Sequence, residues 1–97
     1  MKESQLQSII TKSLRSDGRF VIKTQGGMAG TPIGTPDIIT IGNSGVLIGL
    51  ELKRPDGKGS YDVTPEQYYQ AAKITKFHGL WFKIDSVEKF LAIEELQ

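Results

Sequence analysis

Three residues between Gly34 and Lys53, in the stretch GTPDIITIGNSGVLIGLELK, have the types and spacing for chemistry: Asp37, Glu51 and Lys53. Asp37 opens a run rich in β-branched residues, Asp37-Ile38-Ile39-Thr40-Ile41, which reads as a strand. Gly42-Asn43-Ser44-Gly45 follows as a turn, and Val46 to Lys53 forms a second, largely apolar run that stops before Pro55-Asp56-Gly57. The pair predicts a β-hairpin. Folding it about Asn43-Ser44 brings Asp37 to within about one residue of Glu51. Strand alternation then points Glu51 and Lys53 to one face and Leu50 and Leu52 to the other.

Two carboxylates held this close repel each other unless a positive charge lies between them. With no Cys and a single His in the chain, hard carboxylate oxygens favour Mg²⁺ or Mn²⁺ over zinc. Such an ion polarises a phosphoryl oxygen and acidifies water, and a neighbouring Lys holds that water or neutralises developing charge. Phosphodiester hydrolysis is the reaction these groups suit. Any one of the three residues alone is explained as well by a salt-bridged sheet end. The combination is not, because an otherwise apolar strand from Val46 to Leu52 has no structural need for Glu51.

The elements that must position these groups are legible from pattern. Leu6, Ile9, Ile10 and Leu14 recur at helical spacing from about Lys2 to Leu14, and Asp17-Gly18 ends the pattern. Glu3 falls on the core-facing side of that helix, where a first-turn acid is also favoured by the helix dipole. Arg19 to Thr24 predicts a first strand, with Phe20 and Ile22 alternating against Val21 and Lys23. It leads into a glycine-rich loop, 25–34, that either offers amides to phosphate or merely connects, and that lacks a phosphate-loop signature. Lys53 to Tyr61 gathers the basic residues nearest the acids. Arg54 and Lys58 there read equally as phosphate contacts or as a solvated loop, and Tyr61 as a core aromatic before a base-stacking one.

Thr64-Pro65-Glu66-Gln67 has the form of a capping box with Pro at the first helical position, opening a helix through Tyr68, Tyr69, Ala71, Ala72 and Ile74 to Phe77. His78-Gly79 stops it, with His78 a capping or surface residue. Leu80 to Ile84 predicts a last strand, parallel to the Glu51 strand through a helical crossover, with Trp81 as a core or dimer contact. Asp85-Ser86-Val87-Glu88 opens a final helix with Val87, Phe90, Leu91 and Leu96 inward. The expected architecture is α/β: a small mixed sheet flanked by helices in the order αβββαβα, one domain over residues 1–97.

Pro-Asp on one strand and Glu-x-Lys on the next resemble the PD-(D/E)xK nuclease superfamily. More closely, Glu3, Gly34-Thr35-Pro36-Asp37, Glu51-Leu52-Lys53 and Gln67 are similar in order and type to the pattern of the virus-type replication-repair nuclease (VRR-NUC) domain. The resemblance spans nearly the whole chain. It implies a PD-(D/E)xK nuclease-like core in which Asp37 and Glu51 bind Mg²⁺ or Mn²⁺, Glu3 completes the shell and the Leu52 carbonyl is a further ligand. Lys53 would activate water. For Gln67 it implies a part in positioning that water or the Lys, beside its capping role. DNA is the implied substrate, with 5′-phosphate and 3′-hydroxyl products. Minimal members of the family further suggest a homodimer acting on branched DNA such as a Holliday junction, in DNA repair, in a bacterial or phage-infected cell. The second Pro-Asp, Pro55-Asp56, has no following Glu-x-Lys strand and reads as a turn.

Composition narrows the rest. Ninety-seven residues support one modest core, which dimerisation would reinforce. Twelve basic against eleven acidic residues leave a net charge of +1, so any DNA footprint must be a local patch. The absence of Cys removes disulfides and thiolate metal sites, and no apolar stretch is long enough for a membrane span or a signal peptide, so a cytoplasmic protein is expected. Two other functions fit the same residues: a DNA-binding module that keeps the fold without turnover, and an endonuclease of the superfamily that reads base sequence. The short chain leaves the second little room for recognition elements.

Overall fold

The computed structural model describes residues 1–24, 30–55 and 63–97. In chain order the elements are α1 (Glu3–Ser16), β1 (Val21–Lys23), β2 (Ile38–Ile41), β3 (Leu47–Leu52), α2 (Pro65–Lys76), β4 (Leu80–Ile84) and α3 (Val87–Leu91), with a closing 3-10 turn at Glu94–Leu96. The strands form one mixed sheet in the order β1-β2-β3-β4. The first three are antiparallel, and β4 joins β3 in parallel, as a strand returning through a helix must to lie beside it in that sense.

Register settles which residues share a face. Ile38 pairs with Leu50 and Thr40 with Ile48, while Leu50 and Leu52 pair with Phe82 and Ile84. On that face Ile38, Ile48, Leu50, Leu52 and Ile84 pack with Leu6, Ile10 and Leu14 of α1 and with Phe90, Ile93 and Leu96 of the C-terminal segment. The i, i+4 spacing of Leu6, Ile10 and Leu14 lays one stripe of α1 on the sheet. Ile9, expected inward, is 41% exposed because it falls beside that stripe. Leu91, also expected inward, lies on the outer side of a helix of only five residues, and Ile93 in the following turn takes the core position instead. In β1 it is Val21 that packs on the core, leaving Phe20 and Ile22 outward.

The opposite face carries α2. Gly49 is what lets it settle, since a Cβ there would meet Pro36 Cγ at 2.7 Å and Ile74 Cδ1 at 3.3 Å. Pro36, fully buried, lies over this gap and delivers Asp37 to the top of the sheet. At the other end of the hairpin the turn is fastened by the C-terminal segment. Asn43 N donates to Glu95 O (2.8 Å), and Ser44 N and Oγ both donate to Glu95 Oε1 (2.8 and 2.9 Å). Arg19 Nη2 adds a 2.7 Å bond to Asn43 Oδ1.

α2 starts and stops as its residue types require. Thr64 Oγ1 accepts from Gln67 N, Gln67 Oε1 accepts from Thr64 N, and Pro65 occupies the first turn. At the far end Gly79 N donates to Ile74 O and His78 N to Thr75 O, a Schellman arrangement with His78 in the left-handed position at φ 70°. Glycine is the residue that position favours, so His78→Gly should raise stability by about 0.5–1 kcal/mol, measurable by thermal or urea denaturation. No helix among the described residues is long and apolar enough to cross a membrane.

Candidate metal centre and its lysine

Extending the β2–β3 register by one step sets Asp37 opposite Glu51, where the hairpin reading placed it. The β2 ladder itself begins one residue later than expected, at Ile38, which leaves the Asp37 side chain free to bond the neighbouring strand. Its Oδ2 accepts from Leu52 N at 2.8 Å. The Asp37 backbone is braced from the other side, for Thr24 N donates to Asp37 O (2.9 Å) and Thr24 Oγ1 to Pro36 O (2.5 Å).

Glu51 and Lys53 leave β3 on the face away from α1, yet both are buried, at 2% and 5% exposure. The first turn of α2 closes over them. Gln67 Nε2 donates to Glu51 Oε2 (3.1 Å), and Gln67 Oε1 accepts from Lys53 Nζ (3.1 Å) and from Thr64 N (2.9 Å). One amide thus caps the helix and joins the carboxyl to the ammonium. Lys53 N donates to Ile84 O at 2.9 Å, which carries the β3–β4 pairing past the end of the strand and holds the backbone of the Lys in place.

The electrostatics follow from this enclosure. Burial, then the hydrogen bond and negative charge of Asp37, push the Glu51 carboxyl up to about 9, with Glu3 adding to the rise and Lys53 opposing it. Its Oε1 is buried without a hydrogen-bond partner. Glu3, at the start of α1, is also raised, by burial first and by Asp37 second, against the pull of Lys53 and Arg54. It therefore lies within electrostatic reach of the pair. Among the described residues no three His, Cys, Asp or Glu side chains stand close enough as placed to hold a metal ion.

The donor chemistry at Asp37 and Glu51 suits a hard divalent cation: two carboxyls on adjacent strands, one with an oxygen that has no hydrogen-bond partner, and a proton that a bound cation would displace. Arg54 continues the chain beside Lys53. Lys58, Tyr61 and the glycine-rich stretch 25–29 lie outside the described residues. A groove of about 520 Å³ along the edge of β4, lined by Leu80, Phe82, Ile93 and Glu94 among others, includes none of Asp37, Glu51, Lys53 or Gln67.

Two supports of the site escaped the sequence reading. One is the seat of Pro36 on Gly49, signalled only by a glycine interrupting an apolar strand. The other is Gly34, at φ +89°, where a Cβ would overlap the Glu66 carbonyl and approach Gln67 N to 2.8 Å. Nothing local in the sequence marks that contact. No family model, no curated protein and no solved structure matches this chain.

Proposed function

We propose that this chain is a Mg²⁺- or Mn²⁺-dependent nuclease of PD-(D/E)xK type that hydrolyses phosphodiester bonds in DNA. The observation that carries the reading is the buried pair at the end of β3: Glu51 and Lys53, nearly inaccessible, bridged by Gln67 of α2, with Glu51 set opposite Asp37. A fold seeking only stability would fill these positions with apolar side chains. Divalent metal supplies Lewis acidity toward a phosphoryl oxygen and acidifies water. Asp37 and Glu51 would hold it, with the Leu52 carbonyl close by in the chain and Glu3 adding negative charge.

Lys53, held by Gln67, directs its ammonium at the reacting phosphate, orients the attacking water and offsets charge that develops on the phosphoryl oxygens. Water oxygen bonds to phosphorus, the bond to the 3′-oxygen breaks, and the leaving oxygen takes up a proton to give 3′-hydroxyl and 5′-phosphate ends. Arg54 is placed by sequence to steer the strand. Branched DNA as preferred substrate and a homodimer making paired incisions complete the reading, and both rest on the family resemblance.

Cleavage of duplex, flap and four-way substrates in Mn²⁺ against EDTA tests it. Cutting that requires metal is expected, and Lys53→Ala should slow it by about 10²- to 10³-fold. A wild-type protein inert on every substrate, or a Lys53→Ala protein as fast as wild type, would overturn the assignment.

A further inference from the structure

Beside Gln67, the next residue of α2 presents an aromatic ring to solvent. Tyr68 is 58% exposed, and its ring centroid lies 6.2 Å from that of Trp81 at a tilt of 41°. Trp81 is half-buried and anchored in the sheet, paired with Gly49 in the same register that pairs Lys83 with Glu51. Trp81 therefore stands two residues, roughly 7 Å, along the sheet from the level of the buried carboxyl, and the Tyr68 ring lies against it. One side of the Tyr68 ring is supported by Trp81. Its core neighbour on the helix is Ala71, so Tyr68 is not needed to fill the interior.

Resting on the nuclease reading, we infer that Tyr68, backed by Trp81, is the stacking platform for an unpaired nucleobase next to the scissile phosphate. A phosphodiester drawn to Asp37, Glu51 and Lys53 has its bases within a few ångströms, and a supported aromatic ring stacks on any base without reading its sequence. A base inside an intact duplex is already stacked on its neighbours and gains little there. A base freed at a flap, a gap or a branch point gains the whole contact. Tyr68 is thus a specificity-determining residue that favours interrupted DNA through this chain's own surface, by the nucleobase rather than by the backbone.

The test uses flap and continuous-duplex substrates carrying 2-aminopurine beside the cleavage position, read as fluorescence quenching in EDTA, so that binding is separated from hydrolysis. Wild type and Tyr68→Phe should quench the unpaired probe, and Tyr68→Ala should lose the quench and bind the flap about tenfold more weakly, with duplex affinity unchanged. Because Tyr68 is exposed, the melting temperature of Tyr68→Ala should stay within a degree or two of wild type. Equal quenching by Tyr68→Ala and wild type, equal losses on flap and duplex, or no quenching by wild type would each overturn the inference. Quenching without any metal-dependent cleavage would leave the platform standing and remove the nuclease.

Discussion

Under the proposed nuclease reading, Glu51→Gln should slow metal-dependent cleavage by about 10³-fold or more and at the same time make the metal-free protein more stable at pH 7. The two effects have one origin. Burial and Asp37 hold the Glu51 carboxyl up to about 9, far above its value in the unfolded chain. Between roughly pH 4.5 and pH 9 the folded state thus keeps a proton that the unfolded state has released, and the stability of the wild type falls as pH rises through this window. Gln does not titrate, and it still accepts from Gln67 Nε2 while offering Asp37 a permanent N–H. Its advantage is near zero at pH 4 and grows by up to about 1.4 kcal/mol per pH unit above pH 4.5, to several kcal/mol by pH 8. Urea denaturation of both proteins in EDTA at pH 4, 7 and 8 measures this. Saturating Mn²⁺ should reverse the order, because under the proposed reading it would bind the carboxylate, displace the proton and raise the melting temperature of the wild type alone. A Glu51→Gln protein that is less stable than wild type at pH 8 in EDTA contradicts the account.

Among the described glycines, Gly34 is the one where an added methyl would meet its neighbours most closely, so Gly34→Ala should be strongly damaging. The residue sits at φ +89°, which costs about 1 kcal/mol for alanine, and its Cβ would collide with backbone of Glu66 and Gln67. Backbone cannot rotate out of the way as a side chain can, so the first turn of α2 must move. A stability loss of about 3 kcal/mol is expected, together with loss of cleavage out of proportion to the fraction unfolded, since Gln67 leaves Glu51 and Lys53 with that turn. Circular dichroism melts beside turnover measured well below the transition separate the two losses. Full activity in a folded Gly34→Ala protein would show that the approach of Gly34 to α2 is dispensable.

What the sequence could show depended on how local the determinant is. The hairpin about Asn43-Ser44, the level placement of Asp37 and Glu51 and the parallel β4 follow from alternation, turn residues and connection rules, and the register bears this out. The facing of β1 does not follow, because Phe20, Val21 and Ile22, at the start of a three-residue edge strand, are all apolar and only the docking of α1 selects Val21. Leu91 and Ile9 were misassigned for a related reason: helical spacing defines a stripe, not its width. Gln67 was legible as a cap, yet its bonds to Glu51 and Lys53 depend on the angle at which α2 meets the sheet, which depends in turn on Gly34 and Gly49. Contacts between glycine and distant backbone leave no periodic trace.

The single amide of Gln67 has a kinetic corollary. Helix termini unwind far more often than domains unfold, and here the terminal turn and the bridge between the acid and the amine are one object. Each brief unwinding of α2 at its start releases both polar partners together and admits water to them. In the nuclease proposed above, catalytic competence would blink with the helix end, and its heat sensitivity would be set by that local opening rather than by the melting of the sheet beneath.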